Sequence, residues 1–502
     1  MTNPPEKTGP ADEQVLAHDA VDTPDPDIGF SLDDAPTDPA ERATQLVHQV
    51  ARDLAAAAPQ GWQRLTAVFA STTAMELGQV VYTDENQQPV PGQPSAQILD
   101  LVRGQRHISA EFGDGPWWRL ILTLTPAGEL EVDYDYGDEP FPDDQLFPPE
   151  AYAADLRDYP RDSLPVWLAA YLTHAGKQLR SPREAAVQAR ADRAQERRGT
   201  RSDTELPEFP LMWARWAVLS AAFVAAGSQW GPRILPALGM FEGSRRSGST
   251  LYALAGGRAV LSGGVWNAPE LDAAYNAGAQ LPQLYAGAPE WVANPVLNPR
   301  ASSGLLSFCY WWEGGSWYRG ESPGADGIAE AVPGFWTFDT VVDVVLRLVG
   351  GESGDRERRA VATLLSAAEV GVATRDTLVE VFGEDTEFDI DGACYQLTLA
   401  GVALLLPEPM PQEQAIERVR GHLVGTGLDA AGYPPQDLVA ERISVGWMVY
   451  VPTEPGELAV GRTIFYLADD GVLEQSTSSV APSRFIADFE QRFQQRHRSV
   501  DY

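Results

Sequence analysis

Three stretches far apart in this chain each carry two alternating apolar runs joined by a glycine-containing turn. They are "WWRLILTLTPAGELEVDYDY" (117–136), "LLSFCYWWEGGSWYRGE" (305–321) and "RTIFYLADDGVLEQSTS" (462–478). A period of two sets one face of each hairpin against a core. Gly128, the Gly314-Gly315-Ser316 turn and Asp470-Gly471 provide the positive φ that tight hairpin turns require. Segments of helical period separate the hairpins, so the chain is expected to be a multidomain α+β protein of small antiparallel sheets packed with helices. With 502 residues, a prior of roughly 150 per domain gives about three units.

Residues 1–42 hold eleven acidic and two basic residues, with Asp-Pro junctions and little apolar periodicity, and read as a disordered acidic tail. An α+β domain is expected over 43–180: a helix with Leu46, Val50 and Leu54 on one face, strands within 62–84, a helix near 96–103, the first hairpin and a closing helix at "SLPVWLAAYLTHAGKQL". Residues 181–207 fall in a basic stretch without aromatics and read as a solvated, charged helical linker. A Trp/Gly-rich α+β middle region follows over 208–407, opening on "LMWARWAVLSAAFVAAGSQW" (211–230). Arg215 interrupts that run, whose longest apolar part falls short of the roughly 20 residues a membrane span needs, so it reads as a buried helix. Residues 408–502 form a last α+β unit: a helix with Ile416, Val419 and Leu423 in phase, strands turning at Asp470-Gly471, and a helix with Phe485, Ile486, Phe489 and Phe493 on one side.

Charge and motif content exclude several functions. Lys plus Arg number 37 against 71 Asp plus Glu, a formal charge of −34, which disfavours nucleic acid and anionic membranes and favours a basic partner. Only Lys7 and Lys177 are lysines, amid abundant Arg and Ala, a bias typical of a high-GC bacterium. Two cysteines, Cys309 and Cys394, are too few for a disulfide framework, and no signal peptide is visible, so a cytoplasmic location is expected. Neither lysine lies in a phosphate-binding loop, the six His have no metal-ligand spacing, and no HExxH or GxSxG occurs. No enzyme, cofactor or metal is expected. "EFDIDGACYQLT" (387–398) mimics a calcium loop but ends on Thr398 where a bidentate Glu belongs, and reads as a turn entering a strand. Cys309 reads as a small buried hydrophobe.

The sharpest feature is "LEVDYDYGDEPFPDDQ" (130–145), which places Glu131, Asp133 and Asp135 on one face of a strand and adds Asp138, Glu139, Asp143 and Asp144 beyond it. Leu130, Val132, Tyr134 and Tyr136 face the other way. A solvated, aggregation-resistant edge strand is the plain reading. Metal ligation suits it poorly, because alternate strand residues stand about 6.7 Å apart and point in parallel, whereas a cation wants oxygens at about 2.0–2.6 Å. A glycosidase pair tolerates the spacing but needs a cleft. Capture of Arg and Lys on a basic partner needs neither. DNA mimicry is a denser version of the same idea and would need the whole 129–158 segment folded together. The run holding Trp311, Trp312, Trp317 and Tyr318 offers an alternative, a sugar-stacking platform with Glu313 or Glu321 nearby, although adjacent Trp on a strand must face opposite ways.

The run from Gly61-Trp62 through Trp118, Leu120, Leu122, Leu124, Gly128, Tyr134, Asp135 and Tyr136 to Trp167 resembles the YezG-like immunity family, antitoxins of bacterial polymorphic toxin systems. "GWMVYVPTEPG", "IFYLADDGVLEQSTS" and "FIADFEQRF" are more weakly similar to a YrhB-like immunity domain. Family members are usually single domains, so two joined through a Trp-rich middle is a departure. The resemblance implies a non-enzymatic cytoplasmic protein that neutralises a secreted toxin, typically a nuclease. On that reading the seven carboxylates from Glu131 to Asp144 are the partner-binding residues, and the partner is a cognate, basic toxin.

Overall fold

A computed structural model describes residues 38–113, 115–350, 354–384, 387–404, 406–428, 433–452 and 462–497. The fold is α+β, with fourteen helices and three antiparallel sheets among the described residues. Two compact units divide it: one runs through Tyr136 and includes Asp158–Pro160, and the other holds Gly137–Arg157 and everything from Arg161.

In the first unit, helix α1 (Pro39–Ala56) is followed by strands β1 (Trp62–Ser71), β2 (Glu76–Asp84) and β3 (Pro89–Gly92), helix α2 (Ala96–Ser109), and strands β4 (Arg119–Leu124) and β5 (Leu130–Asp135). The sheet order is β3-β2-β1-β4-β5, so β5 is an edge. Both helices cover one face: Val47, Val50 and Leu54 of α1, and Ile98 and Val102 of α2, close over Leu65, Phe69, Val80, Leu120 and Leu122. Helix α1 begins earlier than expected. Asp38 caps it by accepting the Ala40 N–H at 2.9 Å, and Pro39 takes the first helical position. Asp38 and Glu41, assigned from sequence to an acidic tail, sit where negative charge favours a helix N-terminus. The rest of that tail, residues 1–37, lies outside the described residues.

The second unit starts with α3 (Pro149–Asp158) and α4 (Val166–Thr173). Here the structure corrects the expected 43–180 domain. Helix α4 belongs to the second unit: Val166 packs with Ala268 and Leu271, and Trp167 donates to the Gly137 carbonyl at 2.7 Å while meeting Phe141 edge-on at 5.2 Å. The charged linker is corrected too. Helix α5 (Pro182–Ala194) opens on a reciprocal Ser181–Glu184 cap and buries Ala185, Ala189 and Asp192, and Asp192 accepts the Gly287 N–H at 2.8 Å. Its small buried residues carry little hydrophobic signal, which is why the stretch looks solvated in sequence.

Strand β6 (Thr200–Arg201) then joins the sheet completed after helix α6 (Phe209–Ala225) by β7 (Gly231–Leu235), β8 (Leu238–Glu242), β9 (Gly248–Leu254), β10 (Arg258–Gly264), helix α7 (Pro269–Tyr275), three 3-10 turns within 290–303, β11 (Phe308–Glu313) and β12 (Ser316–Arg319). The order is β6-β12-β11-β10-β9-β8-β7. The apolar run at 211–230 is the buried helix α6, with Trp216, Ala217, Val218 and Leu219 fully enclosed. Helix α8 (Ala325–Ile328) leads to α9 (Phe338–Val349), α10 (Asp355–Glu369), α11 (Arg375–Phe382) and α12 (Ile390–Leu399), whose apolar faces share one core with α6. Helix α12 stands where "EFDIDGACYQLT" is expected to turn into a strand. Asp389 accepts the Gly392 N–H at 2.8 Å, and Ile390, Ala393 and Leu397 fall at helical spacing on the buried side.

Last come α13 (Gln412–Thr426), β13 (Val439–Ile443), β14 (Gly446–Tyr450), β15 (Thr463–Ala468), β16 (Leu473–Thr477) and α14 (Pro482–His497). The sheet runs in chain order. Ala415, Val419 and Leu423 of α13 cover one face through Val449, Phe465 and Leu467, and Phe489 and Phe493 of α14 cover the other through Tyr466 and Ala468. Among the described residues no helix is long and apolar enough to cross a membrane.

A charge cluster fastens α14 to the β15–β16 turn. Asp470 receives Arg496 Nε at 2.9 Å, the Val472 N–H at 3.0 Å and lies 3.0 Å from His497 Nε2. Desolvation pushes its carboxyl up, but the bonds from Arg496, Val472 and His497 with the Arg496 charge outweigh that and hold it below its ordinary value. A depressed carboxyl stabilises the folded state above the unfolded carboxyl pKa, and that contribution disappears as pH falls through the folded value. Acid titration monitored by urea melting is therefore expected to loosen the hold of α14 on the β15–β16 turn below about pH 4 in the wild type. Asp470→Asn is expected to be weaker at neutral pH and to flatten the dependence; an unchanged acid profile would remove Asp470 from it.

Candidate functional site

The acidic stretch divides between the two units. Glu131, Asp133 and Asp135 belong to β5 of the first, whereas Asp138, Glu139, Asp143 and Asp144 follow in the second. The expected facing holds on the strand. Leu130, Val132, Tyr134 and Tyr136 pack against the core, and the carboxylates occupy the opposite side. Tyr134 is pinned by Gln105 Nε2 at 3.2 Å, and Gln105 Oε1 in turn accepts the buried Trp117 indole N–H. Burial pushes the Tyr134 hydroxyl pKa up, helped by Tyr136 and opposed by the Gln105 bond. This chain of contacts from α2 fixes which way β5 faces.

The carboxylates are not equivalent. Glu131 and Asp133 are exposed. Asp135 is half-buried and ion-paired with Arg119 of β4 at 3.1 Å, so the expectation that all three stand free is corrected. The register explains it, because Arg119 lies directly opposite Asp135 while Ile121 and Thr123 lie opposite Asp133 and Glu131. In the second unit Glu139 meets Arg246 at 3.2 Å, and Asp138, Asp143 and Asp144 are exposed.

A sheet face that sequence reasoning missed lies beside Glu131 and Asp133. Opposite the helices, the register lines up Val81, Thr66, Thr123 and Glu131 in one row and Gln79, Val68, Ile121 and Asp133 in the next. Thr66, Val68, Ile121 and Thr123 are half-buried, and Val81 is exposed. The alternation of β1 and β4 marks one face as core, but nothing in it distinguishes a solvated opposite face from one that receives a partner.

Alternative chemistries find no support in these positions. Among the described residues no three His, Cys, Asp or Glu gather as metal ligands. The "EFDIDGACYQLT" carboxylate Asp389 is spent on a helix cap. Cys309 is fully buried, which pushes its thiol far above the ordinary range. In the aromatic hairpin Trp311 packs on one side of the sheet and Trp312 and Trp317 on the other, with 2 %, 7 % and 0 % exposure. These three rings are core, Tyr318 is half-buried and stacks on Trp311 at 6.1 Å, and Glu321 is engaged by Arg197 at 3.0 Å.

No protein-family model matches the chain, and no curated protein is significantly similar to it.

Proposed function

We propose that this protein is an immunity protein, an antitoxin that binds and blocks a basic toxin, with a nuclease as the best-fitting target. The observation that carries the reading is the placement of exposed Glu131 and Asp133, on the edge strand β5, beside the half-buried Val68–Ile121 face. A partly apolar centre with a charged margin is the usual anatomy of a protein interface, and aligned carboxylates steer a basic partner and set its register. An overall charge of −34 adds long-range attraction of the same sign. The face needs no cofactor to act this way, and its role is steric and electrostatic rather than catalytic.

The test is surface plasmon resonance against a purified basic nuclease toxin encoded beside this protein. Binding is expected to be tight, with an association rate that falls steeply with salt. Glu131→Lys combined with Asp133→Lys is expected to slow association by about tenfold or more at low salt. Tight binding with an unaltered association rate would remove β5 from the interface, and absence of any binding would remove the antitoxin reading.

A further inference from the structure

On the face of the seven-stranded sheet opposite α6, side chains shrink toward one end. One row across β7 to β11 is apolar: Leu235, Leu238, Tyr252, Val260 and Trp311. The next reads Arg233, Met240, Thr250 and Ser262, and the one after it Gly231, Glu242, Gly248 and Gly264. The 3-10 turns cover the apolar part through Val292, Leu297 and Ala301. Beyond it the missing Cβ atoms leave a trench. A Cβ on Gly248 would lie 2.5 Å from Arg300 Nη2, and one on Gly264 would lie 2.2 Å from the Leu305 carbonyl oxygen and 3.2 Å from Arg300 Cδ. Arg300 uses this space to reach Glu242 at 2.6 Å, cancelling that carboxylate's charge. What stays open is a cleft of about 440 Å³ with Arg233, Met240, Thr250, Ser262, Pro299 and Arg300 in its wall.

Arg233 is the uncompensated group there. Its Nη1 donates to the Pro232 carbonyl at 2.8 Å and more weakly to Trp230, and its Nη2 donates to the Ser228 carbonyl. Those carbonyls orient the guanidinium without supplying a countercharge. Among the described residues no carboxylate pairs with it, although acidic residues outnumber basic ones 71 to 37 in the chain. Desolvation accordingly lowers its pKa. Beside it, Ser262 donates to the Leu297 carbonyl at 2.7 Å, so in the 3.3 Å contact with Thr250 the Thr250 hydroxyl is the donor, and the two hydroxyls fix each other in the wall. Met240, 43 % exposed, adds an apolar wall.

The geometry points to a binding site for a small organic anion, a carboxylate or phosphate monoester on a compact apolar body, held by the Arg233 guanidinium with its body against Met240 and Pro299. An anion there supplies the charge that the carbonyls do not, and planar guanidinium recognition suits both head groups. This site is separate from the acidic strand and does not depend on the antitoxin reading.

Isothermal titration of the full chain with benzoate, phenyl phosphate and neutral benzamide tests it. Saturable binding of at least one anion is expected, with none for benzamide, and the preferred anion identifies the head group. Arg233→Gln is expected to weaken that binding by about tenfold or more, as loss of a charge-assisted contact does. Met240→Trp, a change at an exposed position that keeps the charge, is expected to block the cleft, and thermal melting of both variants establishes that they fold. Absence of saturable binding by either anion, equal binding of benzamide, or binding indifferent to both substitutions would overturn the assignment.

Discussion

Glu369→Ala is expected to destabilise the second unit by about 2–3 kcal/mol, somewhat less than breaking a fully buried pair because both side chains keep some contact with water. Glu369 on α10 meets Arg215 Nε on α6 at 2.8 Å, and the two side chains are only 18 % and 11 % exposed. Arg215 Nη1 also donates to the Phe335 and Trp336 carbonyls at 3.2 Å each. The guanidinium thus joins α6, α10 and the loop before α9 from the middle of an apolar helix. Removing the carboxylate strands the cation, whereas Arg215→Met together with Glu369→Leu removes both charges. The double variant is expected to recover most of the loss, because an apolar pair of similar volume commonly matches a buried salt bridge. Urea unfolding followed by circular dichroism reads both. A single-variant cost below about 1 kcal/mol would mean that water screens the pair as it does at a surface.

Trp317→Ala is expected to cost about 3–5 kcal/mol, in the range for deleting a large buried aromatic. The Trp317 indole is fully buried, donates to the Pro207 carbonyl at 2.8 Å, and meets Trp312 edge-on at 5.5 Å and Phe209 at 6.4 Å. Its backbone N–H donates to Asp203 at 2.9 Å, so it also ties β12 to the segment after β6. Trp317→Phe keeps most of the ring but abandons the Pro207 carbonyl, for which about 1–3 kcal/mol is expected. The order Ala worse than Phe worse than wild type, measured by urea melting, marks the residue as packing. A stable Trp317→Ala protein would show that the hairpin is not part of the core and would reopen the sugar-platform reading.

Much of this architecture is legible in the sequence because it rests on period and turn chemistry. Gly314 and Gly315, with φ of 60° and 79°, and Gly471, with φ of 85°, sit where the hairpins turn. Phe489 and Phe493 bury as their spacing requires. The failures have physical causes. At 390–399 a helix capped by Asp389 forms where the sequence resembles the entry to a strand. At 181–194 alanines pack where larger residues would have announced a core. Trp167 belongs to a long-range aromatic cluster with Phe141, which no local pattern encodes. The facing of Glu131 and Asp133 follows from alternation, but the Arg119–Asp135 pair depends on cross-strand register. The row Arg233, Met240, Thr250, Ser262 likewise exists only once four strands align.

The packing of α12 on the core also brings Gln396 to the outer side of β7. The Ile234 N–H donates to Gln396 Oε1 at 2.6 Å, and Gln396 Nε2 approaches the Ile234 carbonyl oxygen at 3.4 Å. A glutamine amide offers both a carbonyl acceptor and N–H donors, so it can engage the N–H and C=O of one residue as a neighbouring peptide group would, and this glutamine stands where an eighth strand would start. At Ile234 the β7 edge is closed by the chain's own side chain. A second molecule meeting that border finds the Ile234 N–H and C=O already occupied, which makes Gln396 a guard against strand exchange between copies at high concentration.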